Sequence, residues 1–232
     1  MSALLDDVDL LLTHAPADPL AVYERAAEGY EQFRALWVHL AGGAVEQVMV
    51  DDLTATLTPG ARVLDAGCGT GTLSRRIREM QPAVQLTLLD LSPAMLAHTA
   101  DIPGEKRVGS VMALPFPDNA FDVVVSSWVI ETVPDPIKAV SEYLRVINAD
   151  GYVFYTFCSL PGGFVSRAGT ALLRAAVENR FAGRFLPLDE TPWHNCERSR
   201  RVQSHTGLTT FVCLRKCCAV AAPILPASSP HR

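Results

Sequence analysis

The stretch from Arg62 to Met80 constrains the fold more than any other part of the chain. It opens with Val63-Leu64, an apolar pair typical of a buried parallel strand, then has glycine at every second position from Gly67 to Gly71, and continues with helical character. Glycine adopts φ > 0 and has no Cβ, and a helix start offers unpaired N–H groups and partial positive charge. The stretch therefore predicts a strand, a turn and a helix that together hold a ligand.

The length of 232 residues and the composition indicate one globular domain with additional segments outside its core. No apolar run approaches the length of a membrane span, and the N-terminus lacks the basic region of a signal peptide. The six cysteines are then expected to be reduced thiols in a cytoplasmic protein. A net charge of -5 argues against a nucleic-acid partner. We also expect a monomer or homodimer.

Acidic and basic residues are unevenly distributed. Residues 1–58 carry ten acidic side chains against two basic ones, whereas residues 167–216 carry nine basic against four acidic ones. Either the two regions pack together and neutralise each other, or the basic region faces an anionic substrate.

The glycine spacing distinguishes this turn from that of dinucleotide-binding domains. The glycines form G-x-G-x-G rather than G-x-G-x-x-G, and Asp65 stands two residues before the first of them. This resembles motif I of the class I S-adenosylmethionine (SAM)-dependent methyltransferases. The resemblance implies cofactor contacts from Asp65 and from the turn residues Gly67, Cys68, Gly69, Thr70 and Gly71.

Three further segments continue the resemblance in the order found in that family. The predicted strand 85–90 ends on Asp90, whose carboxylate would accept hydrogen bonds from both ribose hydroxyls, with Leu91 against the adenine. In the next segment Ser110 stands where relatives carry an aspartate, so its contact to the adenine amino group should be weaker. The Val111 backbone N–H could donate to the ring.

The fourth segment and the N-terminal region are expected to face the acceptor. After the apolar strand 122–127, the resemblance places Ser127 near the methionine part of SAM and the residues from Trp128 to Glu131 near the substrate. Residues 1–57 are predicted to form helices, broken at Gly42-Gly43, with an aromatic stripe that belongs either to the core or to a pocket. In the resembled family such helices close over the cofactor, which makes lid candidates of Tyr23, Tyr30 and Trp37.

The predicted fold is therefore α/β and Rossmann-like, with a seven-stranded, mostly parallel sheet containing one antiparallel strand. Residues 1–57 would form a helical lid, 58–218 the SAM-binding core with a substrate-region insertion at about 159–200, and 219–232 a flexible tail. The resemblance is strong over residues 60–158 and weak over residues 200–216, where a closing antiparallel hairpin is expected.

Methyl transfer mainly requires that the nucleophile be aligned with the S–CH₃ bond. A general base is needed only where the nucleophile holds a proton with a high pKa. The candidates are His194, Glu131 and His205. His194 fits a loop residue without a role better, Glu131 could instead satisfy N–H groups at a helix start, and His205 fits a strand end better. No cysteine pair has C-x-x-C spacing, so no metal is expected, although a soft acceptor stays open.

The sequence thus predicts a SAM-dependent methyltransferase, most similar to the ubiquinone/menaquinone-type and other small-molecule enzymes. It would transfer the methyl group by in-line displacement and release S-adenosylhomocysteine (SAH). One alternative is a SAM-binding accessory or non-methylating protein of the same fold, and another is a nucleotide-dependent oxidoreductase.

Overall fold

The computed structural model describes residues 19–27, 29–181, 183–188 and 199–216. Its helices are α1 (Pro19–Ala26), α2 (Tyr30–Trp37), α3 (Gly43–Thr56), α4 (Thr72–Met80), α5 (Pro93–Ala97), α6 (Pro136–Val146) and α7 (Phe164–Phe181). Its strands are β1 (Arg62–Ala66), β2 (Gln85–Asp90), β3 (Glu105–Val108), β4 (Phe121–Ser127), β5 (Ile147–Cys158), β6 (Ser199–Gln203) and β7 (Thr209–Arg215).

The seven strands form one sheet in the order β3-β2-β1-β4-β5-β7-β6. All neighbours are parallel except β7, which runs antiparallel to both β5 and β6, so the predicted fold class is confirmed. The strand order reverses between β1 and β4. In open α/β sheets a ligand crevice forms at this reversal, beyond the carboxyl ends of the strands.

Both faces of the sheet are covered, which explains the apolar runs in its central strands. In β1, Val63 packs in one cluster with α3 and α4, while its neighbour Leu64 packs in the other with α6, and both are fully buried. Alternate residues of a strand point to opposite faces, so both faces of β1 need apolar side chains. This burial holds the carboxyl ends of β1, β2 and β4 in fixed positions at one edge.

The predicted helix break at Gly42-Gly43 is wrong. A π-helical turn over Val38–Gly42 carries α2 directly into α3. The glycine serves packing instead, because a Cβ on Gly42 would lie only 2.8 Å from Cζ2 of Trp128. The absence of a side chain lets this part of the helix lie against the indole ring.

The last strands of the sheet include one register shift and the closing hairpin. The segment 148–151 lies inside β5, where the pairing with β4 shifts register between Phe121 and Val123. The closing hairpin β6–β7 forms close to where it was expected. His194 and the tail 219–232 lie outside the described residues. Among the helices that are described, none combines the length and the hydropathy needed to cross a membrane.

Candidate cofactor and acceptor site

The glycine turn, residues 67–71, connects β1 to α4 and is tied to the end of β2. The backbone N–H groups of Gly67 and Cys68 both donate to the carbonyl oxygen of Leu89, at 2.7 and 3.0 Å. All three glycines of the turn have positive φ, and Gly71 is the residue that precedes the first turn of α4. These main-chain bonds fix the start of the turn at the carboxyl edge of the sheet.

Asp90 ends β2 beside this turn, and both of its carboxylate oxygens are engaged by backbone. Oδ2 accepts from the Gly69 N–H at 2.8 Å, and Oδ1 accepts from the Ser92 N–H at 2.9 Å. Burial raises the pKa of Asp90, and these backbone hydrogen bonds oppose that rise. A carboxylate has about four lone-pair sites, so acceptor capacity for two ligand hydroxyls is still available.

A cavity of about 240 Å³, which we call the large cavity, lies at this edge. It is large enough for an organic ligand rather than a few waters. Most residues predicted to bind the nucleoside or the substrate line it: Tyr23, Tyr30, Gly67, Gly69, Asp90, Leu91, Ser110, Val111, Ser127 and Trp128. The structure thus brings together side chains from the N-terminal helices and from the ends of β1, β2 and β4.

A second, small cavity of about 20 Å³, which we call the turn cavity, also borders the glycine turn and shares four wall residues with the large cavity: Tyr30, Gly67, Gly69 and Ser127. Asp65, Cys68 and Thr70 line it and do not line the large cavity. The Asp65 carboxyl accepts from Ser74 Oγ at 2.6 Å, and burial raises its pKa to about 7. Thr70 donates its hydroxyl to Glu31. These predicted cofactor residues therefore lie at a separate end of the site.

Arg34 also lines the turn cavity. From the sequence, Arg34 was included only in the charge count of residues 1–58 and was not predicted as a site residue. It pairs with the buried Glu46 at 2.7 Å, and Arg76 pairs with the same carboxylate at 3.1 Å. The spacing could have shown this, because Arg34 follows Tyr30 by four residues and so lies on the same helix face. Arg34 therefore places a cation in the wall of the turn cavity.

A third cavity of about 40 Å³, the aromatic cavity, adjoins the large one, since Tyr23, Tyr30, Trp128 and Thr132 line both. Trp37 lines only the aromatic cavity, and its ring lies 6.2 Å from that of Trp128. Trp128 has a φ of 61°, which is uncommon for a bulky residue and occurs mainly at functional or strained positions. The aromatic stripe of the N-terminal helices is thus both core and cavity wall.

Glu131 and Cys158 complete the wall of the aromatic cavity. The Cys158 backbone N–H donates to Glu131 Oε1 at 3.2 Å. Burial raises the pKa of Glu131 to about 7, and hydrogen bonds from its own backbone and from Cys158 oppose the rise. The other predicted base, His194, is outside the described residues. Within the described part of the chain, no group of three or more His, Cys, Asp or Glu side chains is placed to hold a metal ion.

Comparison with known proteins gives a consistent family. Residues 64–155 match the methyltransferase domain family. Malonyl-[acyl-carrier protein] O-methyltransferases are 35% identical over 202 residues in Salmonella typhimurium, covering 82% of this chain and 71% of the relative, and 37% identical over 134 residues in Serratia marcescens, covering 57% and 51%. The ubiquinone/menaquinone biosynthesis C-methyltransferase UbiE of Dinoroseobacter shibae is 33% identical over 140 residues, covering 56% of each chain.

Solved structures support the same fold. The phosphoethanolamine N-methyltransferase 2 of Haemonchus contortus, in complex with S-adenosyl-L-methionine, superposes with a TM-score of 0.61 at 16% identity, covering 77% of this chain and 54% of that one. The chain spans about half to 71% of the length of the curated relatives named above. The matching domain, the relatives and the fold together show that the chain belongs to the class I SAM-dependent methyltransferases, whose cofactor is S-adenosylmethionine.

Proposed function

We propose that this protein transfers the methyl group of SAM to a small-molecule acceptor by in-line displacement and releases SAH. The observation that carries the proposal is the large cavity at the strand-order reversal, where Asp90 and the glycine turn meet. A carboxylate held at the end of the second strand suits ribose hydroxyls, and its charge excludes a 2′-phosphate. The protein supplies position and charge, and the sulfonium carries its own leaving group.

The cavities suggest how SAM would lie. The ribose would bind Asp90, and the adenine would lie between Leu91 and Val111, near Ser110. Ser110 Oγ already accepts from the Met112 N–H at 3.2 Å, so its second lone pair is what is left for the adenine amino group. The sulfur would lie near Gly67 and Ser127, and the amino-acid tail would enter the turn cavity towards Arg34 and the residues Asp65, Cys68 and Thr70.

The N-terminal helices would act as the lid of this site. In support, Glu24 of α1 accepts a hydrogen bond at 2.7 Å from Oγ of Ser92, two residues after Asp90, and Tyr23 and Tyr30 line the large cavity. Residues 1–57 and the insertion at about 159–200 would shape the acceptor side. The proposal also includes a cytoplasmic location, which the free thiols of Cys68 and Cys158 support, and a monomer or homodimer.

Titration calorimetry with SAM, SAH and NADH tests the proposal. We expect both SAM and SAH to bind and NADH not to bind. Binding of NADH in place of SAM would contradict the proposal. SAM binding without release of SAH in the presence of any of a broad set of small acceptors would favour an accessory role of the same fold.

The Arg34 assignment makes a separate prediction. Arg34→Gln should weaken SAH binding about tenfold, since a hydrogen bond to a charged group contributes roughly 1.5–3 kcal/mol. Binding of 5′-methylthioadenosine, which lacks the amino-acid tail, should change less than twofold. Arg76→Gln is the matched control, because Arg76 pairs with the same Glu46 but does not line the turn cavity. Equal losses for both nucleosides, or for both variants, would show that Arg34 acts only through the packing of its helix.

A further inference from the structure

Three residues that line the aromatic cavity each carry a buried polar atom that has no hydrogen-bond partner among the residues that the structure describes. These atoms are Glu131 Oε2 and the indole N–H groups of Trp37 and Trp128. The three residues are only 3%, 5% and 8% exposed. A buried polar group without a partner costs about 1–3 kcal/mol, and more when it is charged. Three of them around one cavity indicate that a polar ligand group completes the site.

The position of the aromatic cavity relates it to the cofactor. It shares four wall residues with the large cavity, so a group inside it lies next to whatever fills the large cavity. Its volume of about 40 Å³ has room for a reacting group and a few more atoms. The walls are largely aromatic, with Tyr23 and Tyr30 in edge-to-face contact and Trp37 edge-to-face with Trp128. Such walls favour a flat ring at the reacting end of the ligand.

We propose that the aromatic cavity is the acceptor subsite and that it takes a phenolic hydroxyl, which donates to Glu131 Oε2 and accepts from an indole N–H of Trp37 or Trp128. This inference rests on the proposed methyl transfer and adds the class of acceptor to it. Glu131 is then a catalytic residue, because it contacts the reacting group.

The number of donors and lone pairs selects a hydroxyl over other nucleophiles. A hydroxyl has one proton and two lone pairs, so it can donate to Glu131, accept from an indole and still present a lone pair to the methyl group. A neutral amine has a single lone pair, which attack on the methyl group uses, and both indoles would be left without a partner. A carboxylate acceptor would place a second negative charge beside that of Glu131.

The proton and the electron pairs balance in the transfer. The hydroxyl oxygen forms the new bond to the methyl carbon while the S–C bond breaks, and its electron pair stays on the sulfur of SAH. The hydroxyl proton passes to Glu131 Oε2 and leaves to solvent after the methyl ether departs. The charge of the sulfonium and that of the carboxylate are both cancelled, so no further reactant is needed.

Glu131 is also the group in this cavity that changes charge near neutral pH. Burial raises its pKa to about 7. The titratable groups that sense its charge are Tyr23 and Tyr30 from α1 and α2, Tyr143 from α6 and Cys158 from β5, and burial raises the pKa of each of them further above neutrality. No Lys or Arg in the described part of the chain forms an ion pair with Glu131. A carboxylate with a pKa near the working pH is well suited to accept the proton.

A matched set of probes tests the acceptor class. Phenol, aniline and benzoate share one ring and differ in the reacting group. After calorimetry has shown SAH binding, each is incubated at high concentration with SAM and the full-length protein at pH 8, and SAH and the methylated product are measured by mass spectrometry. We expect phenol to be methylated at least tenfold faster than aniline or benzoate. Methylation of aniline or benzoate at a rate equal to or above that of phenol would overturn the inference, and so would the absence of phenol-dependent SAH formation. Absence of SAH binding would overturn the proposed function itself.

Substitution of Glu131 tests the role of its carboxylate. Glu131→Gln should lower kcat/KM for phenol about 100-fold, the lower end of the range for general-base catalysis, with SAH affinity within twofold of the native protein. The wild-type rate should rise with pH through a midpoint near 7, and this rise should be absent in the variant. Glu79→Gln, the same change at an exposed helix position, is the control.

Trp128→Phe keeps the ring but removes the N–H, and it should lower the rate with phenol several-fold while SAH still binds. It serves as the second variant if Glu131→Gln does not fold. Wild-type activity or an unchanged pH profile in Glu131→Gln would contradict the role of the carboxylate. Full activity of both Trp128→Phe and Trp37→Phe would contradict the hydrogen bond from an indole.

Discussion

Gly67→Ala is expected to destabilise the protein by about 2–5 kcal/mol and to lower its affinity for SAM more than 100-fold. Gly67 has a φ of 79°, where a residue with a Cβ is strained. A Cβ at this position would lie 2.5 Å from Cγ2 of Val129, which is closer than real Cβ contacts come. The backbone must shift to relieve the contact, and this shift displaces the N–H groups that hold the turn against Leu89.

Thermal unfolding and calorimetry measure the two effects. The melting temperature should fall by about 5–15 °C. Gly60→Ala is the matched control, because Gly60 has nearly the same φ of 81° but nothing within 4 Å of its would-be Cβ. Gly60→Ala should lower the free energy of unfolding by only about 1–2 kcal/mol and should bind SAM with an affinity within twofold of the native protein.

A compensating substitution separates the steric part of the effect from the strain. Val129→Ala removes the methyl groups that a Cβ on Gly67 would meet. The loss of unfolding free energy in the double variant should therefore be smaller, by at least about 1 kcal/mol, than the sum of the losses in the two single variants. Gly67→Ala with native SAM affinity would show that the glycine turn does not hold the cofactor.

Asp90→Ala is expected to lower SAM affinity about 100-fold, which corresponds to about 2.7 kcal/mol. The variant would lose the charge-assisted hydrogen bonding proposed for the ribose, and a hydrogen bond to a charged group contributes roughly 1.5–3 kcal/mol. It also frees the backbone N–H groups of Gly69 and Ser92, which Asp90 now holds at 2.8 and 2.9 Å, so the turn itself loosens. Calorimetric titration with SAM and SAH gives the affinity directly.

Asp90→Asn separates the two causes, because an amide oxygen can still accept from one backbone N–H while the negative charge is gone. We expect the SAM affinity of Asp90→Asn to lie between that of the native protein and that of Asp90→Ala. Asp118→Ala, at an exposed carboxylate that pairs with Arg145, is the control and should bind SAM normally. An Asp90→Ala affinity within threefold of the native value would refute the ribose assignment.

Much of the cofactor half of the site could be predicted because its determinants are local in sequence. The glycine turn requires φ > 0 within five residues, and the carboxylate of Asp90 must end a strand that one crossover helix can reach. The order of the four segments then leads to the sheet, whose seven strands and single antiparallel member are as predicted. The Gly42-Gly43 break failed because glycine propensity is local, whereas the close contact with Trp128 is not.

The environment of the proposed acceptor subsite could not be predicted from the sequence, because it depends on contacts between residues that are far apart along the chain. Whether Trp37 lies in the core or lines a pocket depends on Trp128, ninety-one residues later, and the burial of Glu131 depends on Cys158. Arg34 becomes a candidate ligand only once its helix lies beside the glycine turn.

The sequence by itself determined the fold and the cofactor, and it singled out the carboxylate that we propose for the ribose, because strand periodicity, glycine conformation and motif spacing act over short distances along the chain. Only the tertiary structure decided which buried polar atoms surround the aromatic cavity and which of them lack a partner. Hydrogen bonding and desolvation depend on neighbours in space. Those neighbours come from parts of the chain that are far apart in sequence, so the sequence alone does not show that they are in contact.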